Sequence, residues 1–219
     1  MNESDDIEKR NDTAYFMFGR FQPPTKAHIQ MIQTMSDMSN SADMYVFLSS
    51  THNANKNPLN IFTKMSWLKK SNPPKNVRYI NTTTKGCKTI FNIIDVLKSA
   101  GYTTLHLFVG SDRFEGFRTM FEKYPPKDIT IKVEQFKGER SNKSMNSNMS
   151  SISGSKMRNA AKRNDFNTFK KGTNLSENDA RILMNLVKKF NPSSKTVKRV
   201  KRVGNTQNNE YKKSYKSRR

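Results

Sequence analysis

Short apolar runs and helix-like periodic segments follow one another from residue 13 to residue 136. The runs predict strands, whereas apolar residues spaced three or four positions apart predict amphipathic helices. Five strands are predicted, over residues 13–18, 43–49, 77–81, 104–109 and 129–136. The segments between them predict helices over residues 26–39, 61–71, 89–100 and 115–124. Because strands separated by helices pair through right-handed crossovers, the pattern predicts an α/β fold with a parallel five-stranded sheet and helices on both faces.

The pattern changes after the fifth strand. Residues 137–150 are rich in Ser and Asn and poor in core-forming residues, so a simple connector and a ligand-gated lid are both open interpretations. A short helix that reaches Arg163 and a last helix over residues 177–190 follow, and the apolar residues of the last helix suit packing on the domain. We therefore expect one folded domain over residues 13–190.

The charge is distributed unevenly along the chain. Its 219 residues include 40 Lys and Arg against 18 Asp and Glu, which gives a net charge of +22. Residues 188–219 hold twelve Lys or Arg and one Glu, and so carry half of that charge. We predict a basic, disordered tail over residues 191–219 and an acidic, flexible arm over residues 1–12. Such a tail favours contact with nucleic acid or another polyanion, and a solubilising or packaging-related extension is the alternative.

Composition also disfavours several classes of protein. No apolar stretch approaches the length of a membrane span, and no signal-peptide pattern is present. The single cysteine, Cys87, excludes an intramolecular disulfide and a cysteine-rich zinc site. We therefore expect a cytoplasmic protein that does not act at a membrane and has no metal held in a protein cage. The oligomeric state stays open.

Residues 19–28, GRFQPPTKAH, link the first strand to the first helix and carry the clearest chemistry. The N-terminus of a helix presents unpaired N–H groups and a partial positive charge, so such a corner suits a phosphate. Gly19 would let a ligand approach the backbone, and the two prolines stiffen the loop. Thr25 and His28 lie one helical turn apart, and His28 can donate a proton or a positive charge to a phosphate oxygen. A capped turn with a surface histidine is the structural alternative.

A second helix start lies far downstream, in residues 151–158, SISGSKMR. Ser153 or Ser155 can cap the helix, and Gly154 permits close approach of the backbone. Arg158 lies one turn into the helix and offers a planar fork of donors that suits phosphate oxygens. A capped surface helix without a ligand is the alternative.

Together these segments resemble the nucleotidyltransferase superfamily whose hallmark is a (H/T)-x-G-H corner. Its members include the nicotinamide-mononucleotide (NMN) adenylyltransferases, the phosphopantetheine adenylyltransferases and the cytidylyltransferases. Residues 19–28 resemble its first signature: the GRFQP form is most similar to the archaeal NMN adenylyltransferases, and the PPT form to copies in phages and large DNA viruses. Residues 151–158 resemble its I-S-S/G-T/S-x-x-R element. Ala27 stands where the family has glycine, which puts the approach of the phosphates in question.

Further residues are implicated by the resemblance. In Gly110-Ser-Asp112 it implies that Asp112 faces the nucleotide, although an acid at a helix start is also ordinary capping. The segment around residues 57–70 looks like the viral branch, in which the equivalent helix presents basic residues toward the nucleotide or the acceptor, and this implies Lys64 as an acceptor or phosphate contact. Trp67 is a second candidate contact, because its ring could stack on an acceptor base. For Trp67, packing is the alternative.

The resemblance implies a Rossmann-like nucleotidyltransferase. An acceptor phosphate would attack the α-phosphate of ATP or CTP, with Mg²⁺ carried by the triphosphate, by positioning and charge stabilisation alone. The implied catalytic residues are Thr25, His28 and Arg158, and the implied nucleotide-binding residues are Gly19, Arg20, Phe21, Asp112, Ser153, Gly154 and Ser155. NMN plus ATP giving NAD is the leading reaction. The alternatives are a cytidylyltransferase acting on an alcohol phosphate and a catalytically degenerate, polyanion-binding or virion-associated protein, and a viral enzyme would act in the host cytoplasm.

Overall fold

The five predicted strands form one sheet. The structure is a computed structural model that describes residues 7, 9–39, 42–54, 56–136 and 152–190. The strands are β1 (Thr13–Gly19), β2 (Asp43–Leu48), β3 (Arg78–Asn81), β4 (Thr104–Gly110) and β5 (Thr130–Phe136). Neighbouring strands are parallel, and their order is β3-β2-β1-β4-β5. The predicted parallel α/β sheet is therefore confirmed.

Helices cover both faces of the sheet. The described residues form α1 (Lys26–Met38), α2 (Ile61–Lys70), α3 (Ile90–Ser99), α4 (Ser111–Lys123), α5 (Gly154–Arg163), α6 (Phe166–Lys171) and α7 (Glu177–Phe190). α1 and α2 contribute Ile32 and Leu68 to the core on one face. α3 and α4 contribute Ile93 and Phe121 to the core on the other. Successive strand residues point to opposite faces, so each strand supplies both cores.

The direction of winding reverses between β1 and β4. The chain moves outward from β1 to β2 and β3, and then returns through α3 to place β4 on the other side of β1. In an open α/β sheet such a reversal leaves a crevice at the carboxyl ends of the two central strands, where ligands bind. Gly19 ends β1 and Gly110 ends β4, so the first signature begins at this crevice.

α5, α6 and α7 form a small unit with its own core, here called the C-terminal helical unit (residues 154–190). Met157, Phe169 and Leu183 are almost completely buried in it. Leu59 and Trp67, from the segment that contains α2, complete this core. The unit is therefore packed on the sheet domain through α2 and the loop before it.

The largest differences from the predicted helices concern α4 and α6. α4 begins at Ser111 rather than at residue 115, because Gly110 already has the extended conformation of an N-cap and the polar first turn hides the helix from an apolar pattern. α6 was not predicted. It is a six-residue helix that starts where the Asp165 side chain accepts the Thr168 N–H at 3.0 Å.

Some predicted features fall outside the described residues. These are the lid over residues 137–150, the basic tail over residues 191–219 and most of the acidic arm. Residues 10–12 of that arm are hydrogen bonded to the sheet, and Asp43 accepts the Arg10 amide at 2.7 Å. In the part of the chain that the structure describes, no helix is long and apolar enough to cross a membrane.

Candidate active site

Thr25 and His28 form a capping box at the start of α1. The Thr25 side chain accepts the His28 amide at 3.4 Å, and His28 Nδ1 accepts the Thr25 amide at 3.1 Å. Because Nδ1 accepts a main-chain N–H, the ring proton of neutral His28 lies on Nε2. Burial lowers the pKa of His28 to about 4. At neutral pH the free protein therefore presents an Nε2–H donor, and not the positive charge that the sequence left possible.

Phe21 explains the glycine that ends β1. Phe21 has a φ of +48° and is 1% exposed. Its ring covers Gly19, where an added Cβ would lie 2.7 Å from Phe21 Cε2, and its centroid lies 4.8 Å from that of His28. Gly19 therefore makes room for the Phe21 ring, and close approach of a ligand to its backbone stays a prediction. Residues 19–21 can meet a ligand through their backbone and the exposed Arg20 side chain.

The two signatures are in direct contact although more than a hundred residues separate them. Arg158 Nη1 donates to the main-chain oxygen of Gln22 at 2.7 Å. An added Cβ at Gly154 would lie 2.7 Å from that same oxygen, so only glycine fits at this approach. Sequence reasoning missed Gln22, because nothing in its local pattern indicates a long-range contact.

Within the part of the chain that the structure describes, Arg158 has no carboxylate partner. Its second nitrogen, Nη2, donates to Ser155 Oγ at 2.9 Å, while Ser153 caps α5 through the Lys156 amide. Burial lowers the pKa of Arg158, and the neighbouring charge of Arg20 lowers it further. Neither guanidinium forms an ion pair with a carboxylate of the described residues. Two cations thus lie close together at the crevice, an arrangement that a bound anion would stabilise.

The first turn of α1 is partly open to a ligand. The Lys26 amide donates to Gly172 O at 2.9 Å, and the His28 amide is held by Thr25. Among the described residues, no partner is seen for the Ala27 amide. Ala27 adopts the helical conformation of α1 and is partly exposed, so its methyl group does not disturb the helix start.

Lys64 and Trp67 lie deeper than a ligand-contacting role would suggest. Lys64 is fully buried, its Nζ donates to Ser49 O, and burial lowers its pKa to about 8. The Ser49 amide donates in turn to Gly19 O at 2.9 Å, so the amine supports the carboxyl ends of β1 and β2. Trp67 is 6% exposed within the core of the C-terminal helical unit, and packing accounts for it.

Asp112 lies at the end of β4, in the exposed first turn of α4. An added Cβ at Gly110 would lie 2.8 Å from Asp112 Oδ1. The carboxylate is therefore folded back over Gly110 at the edge of the crevice, and it does not cap the helix.

Two further features concern the rest of the described chain. In the described part of the chain, no three His, Cys, Asp or Glu side chains converge to hold a metal ion. A polar cavity of about 350 Å³ opens near the amino ends of β2 and β3, between Arg10, Asp43 and Arg78. It lies at the opposite end of the sheet from Arg158.

The fold resembles solved adenylyltransferases. No protein-family model matches the sequence, and no curated protein matches it at a significant level. The nicotinic acid mononucleotide adenylyltransferase of Plasmodium falciparum, complexed with APC, aligns with a TM-score of 0.57 and 16% identity over 84% of this chain and 100% of that one. Its complex with NaAD gives a TM-score of 0.51 at 12% identity, over 82% and 96% of the two chains.

A second neighbour comes from a bacterium. A protein of Vibrio parahaemolyticus, assigned as a nicotinate-nucleotide adenylyltransferase, aligns with a TM-score of 0.53 and 15% identity over 80% of this chain and 94% of that one. At such identities the likeness shows the fold. The chain therefore has the Rossmann-like α/β fold of these adenylyltransferases, and the closer resemblance of its signatures to a viral branch stays a prediction.

Proposed function

We propose that this protein is a nucleotidyltransferase that joins the nucleotidyl group of an NTP to a phosphate acceptor and releases pyrophosphate. The observation that carries the proposal is the meeting of Arg158 with the β1–α1 corner beside Arg20. Two neighbouring guanidinium groups repel each other, and an anion bound between them would relieve that repulsion. The crevice between β1 and β4 is also the usual position of a nucleotide in such a sheet.

The donors at this corner suit a triphosphate. His28 offers Nε2–H, the Ala27 amide points out of the start of α1, and Arg158 offers a fork of N–H groups. A helix start favours negative charge, and charge-assisted hydrogen bonds from Arg are the stronger ones. Arg158 is held here by a carbonyl and a hydroxyl, both neutral acceptors that a phosphate oxygen would outcompete.

The reaction needs no nucleophile from the protein. An oxygen of the acceptor phosphate forms a bond to the α-phosphorus, and the bond from that phosphorus to the bridging oxygen breaks, so pyrophosphate leaves with the electron pair. Charge moves onto the leaving phosphates, where Arg158 and His28 would stabilise it. In the protein without a ligand, the low pKa of His28 keeps it a neutral Nε2–H donor at physiological pH. Mg²⁺ would be held by phosphate oxygens and water, its usual mode, and would neutralise part of their charge.

ATP and NMN are the proposed substrates, because the GRFQP form resembles NMN adenylyltransferases. The solved neighbours are named for the nicotinic acid mononucleotide (NaMN) reaction, so NaMN is the competing acceptor. The test is pyrophosphate release with ATP and Mg²⁺ plus NMN or NaMN, alongside CTP with an alcohol phosphate. We expect release with ATP and a pyridine mononucleotide, and its loss in Arg158→Ala. Release with CTP alone would favour the cytidylyltransferase, and no release with any pair would contradict the proposal.

Binding of a polyanion is a second candidate function, and a cationic cluster favours it. At the α5–α6 turn, hydrogen bonds from Thr168 lower the pKa of Asp165 first, and the charges of Arg163 and Lys171 lower it further. Lys188 reaches the same turn, with its Nζ 2.6 Å from Asn164 Oδ1. Arg163, Lys171 and Lys188 thus form a cationic cluster that precedes the basic tail in sequence. Such a cluster suits the phosphate backbone of a nucleic acid. We propose nucleic acid as the partner, alongside the transferase activity or in place of it.

A further inference from the structure

Gln22 is a buried amide at the centre of the site. It is 2% exposed and lies in the loop between β1 and α1. Its Nε2 donates to Leu59 O at 2.6 Å, and its Oε1 accepts the Leu59 amide at 2.9 Å. The side chain therefore pairs with Leu59 as a second backbone strand would, immediately before Asn60 caps α2.

The main-chain oxygen of Gln22 faces a different segment. It accepts Arg158 Nη1 at 2.7 Å and lies against the backbone of Gly154. One residue thus joins three segments: the β1–α1 corner, the loop before α2, and the start of α5. Its side chain holds the β1–α1 corner against the loop before α2, and its main-chain carbonyl holds the corner against the start of α5.

The two hydrogen-bond acceptors of Arg158 belong to different parts of the molecule. Ser155 lies three residues before Arg158 on the same helix, so that bond moves with α5 and fixes nothing between helices. Gln22 O belongs to the β1–α1 loop. Of the two bonds, the one to Gln22 O therefore fixes the position of the guanidinium group relative to His28.

We propose that Gln22 is a positioning residue: its paired amide holds its own carbonyl in place and thereby places Arg158 for the phosphates. The effect on nucleotide binding rests on the proposed function. Misplacement of a binding group by about 1 Å can cost roughly a hundredfold in rate. The placement of Arg158 itself is a property of the free protein and can be measured without any nucleotide.

Gln22→Glu is the sharpest variant, because it keeps the shape and replaces the Nε2 donor with an oxygen that faces Leu59 O. A double-mutant cycle combines it with Arg158→Ala, and calorimetry gives the Kd of ATP–Mg²⁺ for the four proteins. We expect Gln22→Glu alone to weaken binding about tenfold, and by less than about twofold when Arg158 is already absent. Equal losses in both backgrounds would show that Gln22 acts independently of Arg158, which overturns the proposal.

The pH dependence separates positioning from general damage. Once protonated, the introduced carboxyl can again donate to Leu59 O, so the affinity of Gln22→Glu relative to the parent should recover as the pH falls from 8 to 5.5. Gln33→Glu, at an exposed position on α1, is the matched control and should show no such recovery. A deficit in Gln22→Glu that is the same at both pH values would count against the proposal.

A nucleotide-free measurement keeps the two proposals distinguishable. The Nε–H resonance of Arg158, assigned by its loss in Arg158→Ala, should shift and exchange faster with solvent in Gln22→Glu and stay unchanged in Gln33→Glu. If the parent protein binds no ATP, the proposed function fails and this resonance alone decides the role of Gln22. An Arg158 resonance unaltered in Gln22→Glu would overturn that role whatever the protein binds.

Discussion

The two ends of the sheet hold arginines in opposite circumstances. At the amino end, Arg78 donates to Tyr45 at 3.0 Å, Tyr45 pairs with Tyr102 at 2.7 Å, and Tyr102 donates to Asp43 at 2.8 Å. A cation is thereby connected to a carboxylate through two tyrosine hydroxyls. At the carboxyl end, the acceptors of Arg158 among the described residues are a main-chain carbonyl and a hydroxyl, both neutral.

This difference separates structural from functional charge. A network in which a cation is linked to a carboxylate by hydrogen bonds stabilises one conformation of the protein. A partly buried charge without a counter-ion has an unfavourable desolvation free energy. A bound anion would offset that free energy. The comparison predicts that substitutions at the carboxyl end change chemistry at little cost in stability, and that those at the amino end do the reverse.

The largest effect is expected at His28. His28→Asn should preserve the capping box, since Asn92 already forms the same box with Thr89 at the start of α3, where its Oδ1 accepts the Thr89 amide at 3.2 Å. The variant lacks the Nε2–H donor, and loss of one such donor typically costs a hundred- to a thousandfold in kcat. Kinetics and thermal unfolding should therefore show a large loss of turnover with little change in Tm. His52→Asn, on an exposed loop, is the control, and full activity in His28→Asn would contradict the assignment.

Lys64 is a cation at the carboxyl end whose amine donates to a main-chain oxygen of the protein, Ser49 O, so its effect is expected on stability. Because burial lowers its folded-state pKa to about 8, below the ordinary value of 10.5, the unfolded chain binds more protons between those pH values. The free energy of unfolding should therefore rise with pH across this window, by about 3 kcal/mol. Lys64→Met should remove that rise in denaturant titrations at pH 7.5 and 10.5, whereas Lys70→Met, at an exposed position, should keep it. Parallel curves for the parent and Lys64→Met would show that the ammonium is not buried.

Tyr102 tests the closed network. Tyr102→Phe removes the donor to Asp43 and the partner of Tyr45, which should lower the free energy of unfolding by about 2 kcal/mol. The Kd of ATP–Mg²⁺ should stay within about twofold of the parent value, because the network lies at the opposite end of the sheet. Tyr79→Phe loses a single bond, to Pro74 O, and should cost less. If Tyr102→Phe changed the free energy of ATP–Mg²⁺ binding by more than the free energy of unfolding, the proposed difference between the two ends of the sheet would be wrong.

The smallest effect on the site is expected from the tail. Deletion of residues 191–219 should leave pyrophosphate release within about twofold of the parent, because the predicted site lies within residues 19–158. Its affinity for DNA or RNA should fall, together with the salt dependence of binding. Filter binding at two salt concentrations measures both quantities. Unchanged nucleic-acid affinity would show that the tail is not the binding element.

The sheet and its corners could be predicted from the sequence because their causes are local. A strand such as β1 follows from its apolar run, and the start of α1 follows from Thr25 and His28. α6 escaped prediction because six residues carry too little periodicity. The contact of Arg158 with Gln22 and the burial of Lys64 depend on how distant segments pack, which no local pattern encodes.

The bond from the Lys26 amide to Gly172 O joins the first turn of α1 to the C-terminal helical unit. Its consequence is kinetic. That amide is protected from hydrogen exchange while its acceptor on the C-terminal helical unit stays in place, so movement of the unit away from the sheet domain exposes it. The exchange rate of one hydrogen atom, at the edge of the proposed phosphate site, therefore reports how often the two parts of the molecule separate.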